Sequence, residues 1–162
     1  MRSRTVLCRT PKYDVRSTTL LTDQDLGFNE NVDPYPYDPE RAQELLEEAG
    51  YPDGFEITMD AVSGRYINDT NVAQAIAGYL KEVGIEVNVN VLEFGVFNDR
   101  LFSHNTSPMY FVGWGNPVFD PAFIYDFVCQ SGSLLRTIEN PEIDELIKAG
   151  RSTTDQSERR EI

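Results

Sequence analysis

Two runs of alternating apolar residues, joined by one helical stripe, constrain this sequence more than anything else in it. Phe55, Ile57, Met59 and Ala61 alternate with polar residues after the Tyr51-Pro52-Asp53-Gly54 turn, the period of a strand with one buried face. Val72, Ala75, Ile76, Tyr79, Leu80 and Val83 then recur at helical spacing up to Gly84. Ile85, Val87, Val89 and Val91 resume the alternation. Strand, helix and strand within about 40 residues predict a βαβ crossover, right-handed, with its two strands parallel.

The flanking sequence extends this unit. Asp38-Pro39-Glu40 opens a helix with an N-cap carboxylate, a proline at the first helical position and an acid in the first turn; Ala42, Leu45, Leu46 and Ala49 share a face and Gly50 ends it. Before it, residues 1–37 hold no sustained apolar period, and Asp33-Pro34-Tyr35-Pro36-Tyr37 reads as an extended lead-in arm. Phe97, Leu101 and Phe102 mark a short helix, and Met109 to Trp114 reads as a buried third strand. Pro121 to Cys129 is expected to be helical, and Asn140-Pro141-Glu142 with Ile143, Leu146, Ile147 and Gly150 forms a capped short helix. Asp155 and Glu158 look like a capping pair opening a helix that the chain cuts short at Ile162, since a lone helix needs roughly 12 to 15 residues. The expected fold is α/β: a mixed, largely parallel sheet with helices packed on it, forming one lobe over residues 38–162 that is truncated at its C-terminus.

Composition removes several function classes. At 162 residues the chain is long enough for one cored domain, and no apolar run approaches the roughly 20 residues that span a bilayer. A net charge of -13 argues against nucleic-acid partners, whose phosphates demand Lys and Arg. The 3 Lys against 11 Arg beside 27 acids suit either a surface adapted to high ionic strength or an ordinary acidic surface. Cys8 and Cys129 lie far apart in sequence and outside metal-ligand spacing, so no metal, cofactor or disulfide framework is expected. The first 17 residues are basic but lack the apolar stretch of a secretory signal, so the chain as written carries no export address. Asn68-Asp69-Thr70 and Asn105-Thr106-Ser107 match the glycosylation acceptor pattern, and the first reads equally as a helix cap.

Three stretches resemble the peptide-type (family 5) extracellular solute-binding proteins of ABC importers. They are Pro34 to Ala42 leading into Leu45-Leu46-Glu47-Glu48-Ala49-Gly50-Tyr51, the Leu80-Lys81-Glu82-Val83-Gly84-Ile85 passage, and Gly113-Trp114 with Asp120-Pro121. The resemblance runs from about residue 30 to the end. It implies part of the second, C-terminal lobe of a type II periplasmic-binding-protein-like fold, the first lobe being missing. It also implies an extracytoplasmic setting, a small solute (an oligopeptide or dipeptide first) as ligand, the membrane subunits of an importer as downstream partner, and no catalysis.

Ligands of open α/β sheets bind beyond the carboxyl ends of the strands. Two loops are expected there: Ser63-Gly64-Arg65-Tyr66 after the first strand, and Gly113, Trp114, Gly115, Asn116, Phe119 and Asp120 after the third. Trp114, between two glycines, is free to stack on a ligand or to be a core aromatic. Arg65 either clamps a ligand carboxylate with its planar fork or is an exposed, solvated arginine, and Tyr66 beside it carries the same two readings. Asp120 is either a ligand contact or the N-cap of the following helix. The resemblance implies an acid three positions after the tryptophan, pairing with a peptide's α-amino group; Pro117 stands there and supplies neither charge nor donor.

Two readings from other classes compete. Asp120 and Asp126 would serve a hydrolase as paired carboxylates, and a ligand-sensing module of a regulator would carry a basic helix-turn-helix, which is not found here. His104, the sole histidine, has no recognised nucleophile elbow near it. Because half of a clamp exposes apolar surface, self-association is also expected.

Overall fold

The computed structural model describes residues 19–113, 115–133, 135 and 139–162. These divide into two compact units, one formed by Pro36–Gly113 and the other by the described residues on either side of it. The expectations for Cys8 and for the first 17 residues lie outside the described residues.

The first unit holds helix α1 (Pro39–Glu48), strand β1 (Phe55–Ser63), helix α2 (Asp69–Glu82), strand β2 (Ile85–Glu93), helix α3 (Phe94–Phe102) and strand β3 (Met109–Phe111). Its sheet has the order β2-β1-β3, with both pairings parallel. The expected βαβ unit is present, in continuous register from Phe55 opposite Ile85 to Ser63 opposite Glu93. At its entrance Gly54 passes so close to Gly84 that a Cβ on Gly54 would sit 1.9 Å from the Gly84 carbonyl oxygen. With φ of 72° as well, the position demands glycine.

Two expectations need correction here. The alternation in β1 predicts one buried face, yet Met59, Asp60, Ala61 and Val62 are all fully buried. The centre of a three-stranded parallel sheet is covered on both sides. Met59 and Ala61 pack with Ala73, Ile76, Val87, Val89, Met109 and Phe111 on the α2 side, while α3 brings the buried Phe97 and Leu101 to the sheet's other face. The third strand is shorter than Met109 to Trp114: pairing ends at Phe111, and its three residues are half-buried because it is an edge.

Helix α1 begins as expected, with the Asp38 carboxylate accepting from the Arg41 N–H, and Gly50 follows its end at φ 87°. It is tied down through its flanks rather than through a buried face. The Tyr37 hydroxyl donates to Glu82 at 2.9 Å and its ring meets Tyr79 edge-on at 5.9 Å. Leu45 remains half exposed.

The second unit holds α4 (Pro121–Val128), α5 (Pro141–Ser152) and α6 (Gln156–Glu161). Residues 19–37 contain no helix or strand. Part of that stretch is nonetheless bonded in: Leu21 is buried, and the buried Asp25 accepts from Thr22 N–H and Oγ1 and from Asn116 Nδ2. Helix α5 includes Gly150 and runs on to Ser152, since glycine in a helix is only a modest cost that packing overrides. The expected capping residues Asp120, Asn140 and Asp155 each accept from a backbone N–H of the helix they open.

Candidate functional site

Parallel strands put their carboxyl ends on one edge, so the loops after β1, β2 and β3 share a rim within the first unit. Gly64, at φ 77°, turns the chain out of β1. Asp69, the first residue of α2, then reaches back: its carboxylate accepts from the Arg65 N–H at 2.9 Å, the Tyr66 N–H at 3.1 Å and its neighbour's Thr70 N–H at 2.8 Å. The Arg65 and Tyr66 amides, with Thr70, hold the Asp69 carboxyl below the usual aspartate range. Asn68 adopts a left-handed conformation and makes no side-chain cap. The Asp69 carboxylate instead holds the turn that leads into α2, through the Arg65, Tyr66 and Thr70 amides.

Tyr66 crosses the rim. Its hydroxyl donates to the Gly113 carbonyl and accepts from the Gly113 N–H, both at 3.0 Å. A Cβ on Gly113 would lie 2.8 Å from the Tyr66 ring, so the second residue beyond β3 must be small for the pair to close. Tyr66 thus spends its polar end on tying the β1 and β3 loops together, and the Gly113 backbone groups that looked open in sequence are occupied.

Arg65 is exposed. Its guanidinium lies over two rings, 5.6 Å from the Tyr66 centroid and 5.1 Å from that of Phe94, the first residue after β2. Among the described residues, no carboxylate forms an ion pair with it, although the chain carries 27 acids. An exposed guanidinium, oriented by two rings and unpaired among the described residues, is at a strand rim chemically suited to receive a planar anion.

Beneath the rim lies a polar group that sequence reasoning missed. Asp60, fully buried on β1, accepts from Asn90 Nδ2 at 2.7 Å, from Ser107 Oγ and N–H at 2.9 Å each, and from Arg100 at 3.3 Å. Burial alone would raise its carboxyl; the Ser107, Asn90 and Arg100 donors outweigh that and lower it. Asn90 is its direct partner across the β1–β2 ladder. The signal was available as two polar residues at facing register positions, but register is known only once strands are paired.

The remaining sequence-selected residues fall in the second unit. Asn116 Nδ2 donates to Asp25 at 2.6 Å and to the Asp120 carbonyl at 3.1 Å. Phe119, half exposed, takes φ 54°, and its carbonyl accepts from the Leu26 N–H. Gly115 is exposed, and Trp114 lies outside the described residues. Asp120 accepts from the Ala122 N–H and both its oxygens receive the Arg159 fork at 2.8 Å. That fork, more than the cap, holds the Asp120 carboxyl low. Asp126 pairs with Arg151. Each member of the carboxylate pair considered for a hydrolase is thus engaged by an arginine of its own, and the Asp120 carboxyl, held low, is a poor proton donor at neutral pH.

Two cavities lie in this unit, of about 1070 Å³ and 320 Å³; neither is lined by Gly115, Asn116, Phe119 or Asp120. The smaller, between α4, α5 and α6, is faced by Tyr125, Ile147, Ile162 and the half-buried Cys129, whose thiol burial pushes up. His104 is an exposed loop residue at φ 53°. No group of three or more His, Cys, Asp or Glu able to hold a metal occurs among the described residues, nor is any described helix long and apolar enough to cross a membrane.

Comparison with known proteins places this arrangement. Residues 10–134 match the family described as bacterial extracellular solute-binding proteins, family 5, middle part. The chain is 27% identical to heme-binding protein A of Haemophilus influenzae over 143 residues, covering 84% of this chain and 26% of that protein. It is 32% identical to di/tripeptide-binding protein 2 of Pseudomonas aeruginosa over 143 residues, covering 83% and 26%. Among solved structures, it is similar to the periplasmic binding protein DppA of Helicobacter pylori in complex with the peptide STSA, at 29% identity and a TM-score of 0.73, covering 86% of this chain and 28% of that one. The dipeptide-binding protein of Pseudoalteromonas sp. SM9913 in complex with Met-Leu gives 28% identity and the same TM-score, covering 86% and 29%. The chain therefore spans about a quarter of the length of the curated relatives it matches.

Proposed function

As this chain belongs to the bacterial extracellular solute-binding proteins of family 5, we propose that it forms part of the second lobe of a binding protein that captures a small solute bearing a free carboxylate. A dipeptide or oligopeptide is the first choice. The observation that carries this reading is Arg65: unpaired among the described residues, held over two rings, and set at the carboxyl rim of a parallel sheet. Relatives named for di- and tripeptides, and solved relatives holding STSA and Met-Leu, support the ligand class. In this reading Tyr66 and Gly113 shape the rim, and Gly115, Asn116, Phe119 and Asp120 stand as further candidate ligand contacts. Pro117 replaces an amine-pairing acid, so recognition rests on the carboxylate end of the ligand. The captured solute passes, unreacted, to the membrane subunits of an ABC importer, outside the cytoplasm.

The test titrates Trp114 fluorescence with di- and tripeptides, sugars and nickel complexes, using both this chain and the chain joined to the first lobe of a family member. A saturable response to free-acid peptides, lost with their C-terminal amides and in Arg65→Ala, supports the reading. A response to none of the classes refutes it.

A further inference from the structure

The rim arginine owes its position to residues that no motif marks. The β1–β2 register ends with Ser63 opposite Glu93, so Phe94 leaves β2 beside the turn that carries Gly64 and Arg65. From there its ring comes within 5.1 Å of the Arg65 guanidinium, while Tyr66 supplies a second ring at 5.6 Å. Cations are attracted to ring faces at distances under about 6 Å. Asp69 fixes the backbone from which Arg65 projects, through the Arg65 and Tyr66 amides. Tyr66 is itself anchored at its far end by Gly113. Three strand ends and one helix start thus converge on one flexible side chain, and none of them neutralises it.

We propose that Phe94 is a positioning residue for solute recognition: with Tyr66 it clamps the Arg65 guanidinium by its faces and leaves the N–H edge pointed outward for a carboxylate. This rests on the carboxylate-binding reading above. A guanidinium held by its faces selects a planar, two-oxygen anion over a neutral amide, because both outward N–H groups must find acceptors in one plane. It also loses less side-chain freedom on binding than a free arginine does. Phe94 touches no ligand in this scheme and acts through Arg65.

The experiment follows the Arg65 Nε–H resonance in nitrogen-labelled full chain, titrated with N-acetyl-alanyl-alanine and separately with its C-terminal amide. In the wild-type chain the resonance lies upfield, shifted by the rings, and moves with the acid but not the amide. Phe94→Leu keeps the apolar bulk and the urea midpoint but relaxes the resonance toward that of a free arginine. Its affinity for the acid falls about two- to fivefold, the worth of one exposed cation–ring contact. Phe94→Trp restores both. If the wild-type chain prefers acid to amide and Arg65→Met abolishes that preference, while Phe94→Leu leaves resonance and affinity unchanged, the clamp is overturned and the carboxylate reading stands. If the wild-type chain binds acid and amide equally, both are overturned. Should Phe94→Leu unfold, an unshifted Arg65 resonance in the wild-type chain or in Phe94→Trp still overturns the clamp.

Discussion

Replacing Asp60 tests the energetic reading of the sheet most directly. Its carboxylate is fully buried and takes donors from Asn90, Ser107 and Arg100. Arg100 is 39% exposed and rehydrates when the partner is lost, so the Coulomb loss on that side is small. Asn90 Nδ2 and the Ser107 N–H and hydroxyl are part-buried and lose charge-assisted bonds worth about 1.5 to 3 kcal/mol each. Partial rearrangement of Ser107 leaves an expected loss of about 3 to 5 kcal/mol for Asp60→Ala. Asp60→Asn, which keeps the shape but sets an amide against donors, should lose about 2 to 3 kcal/mol. Against a total of roughly 5 to 15 kcal/mol for a domain, this is a large fraction. With a urea slope of about 1 to 3 kcal/mol per molar, the Asp60→Asn midpoint, followed by far-ultraviolet circular dichroism, should fall by about 0.7 to 3 M. The pH dependence carries a sign. A carboxyl held below its unfolded value, about 3.9 for aspartate, stabilises fully above that value and loses its contribution as pH falls through the lower folded one. The gap between wild-type and Asp60→Asn should therefore be widest at neutral pH and close below about pH 4. An Asp60→Asn variant within about 0.5 kcal/mol of wild type at pH 7, or a gap that persists undiminished to pH 2, would refute the reasoning.

Other outcomes follow from the same structure. Tyr66→Phe removes both links to Gly113 and should cost about 1 kcal/mol while speeding hydrogen exchange at the Gly113 amide; unchanged exchange there would show the tie to be idle. Gly113→Ala must push the Tyr66 ring aside, so its aromatic resonances should shift more than those of Tyr79, and equal shifts would contradict the close approach. Arg159→Met frees Asp120 and should raise exchange at the α6 amides, with a global loss under about 1 kcal/mol because the pair is partly exposed; protected α6 amides in the variant would count against it. The acidic surface predicts a higher unfolding temperature in molar salt than in low salt, and equal values would remove the case for salt adaptation.

Much of the architecture was readable before any coordinates. Alternation in Phe55 to Ala61 and Ile85 to Val91, with a helical stripe between them, demanded parallel strands, because periodicity and crossover handedness are local consequences of chain geometry. The caps at Asp38, Asp120, Asn140 and Asp155 were legible for the same reason, since a cap and its helix lie within a few residues. So was the choice of Arg65, Tyr66 and Gly113 as rim residues, which needed only the strand ends.

Tertiary structure alone decided what those residues do. Alternation cannot tell one covered face from two, so Asp60 read as a solvent-facing polar residue until α3 and Ser107 closed over it. Phe94 carried no signal, because its neighbourhood with Arg65 arises from the register of two strands about 30 residues apart. Tyr66 and Asp120 looked open to a ligand and are partly committed to Gly113 and Arg159, partners 47 and 39 residues away. Local pattern sets which elements form. Which polar groups remain available to bind a solute is set by who else reaches them, and that is known only once distant segments have packed together.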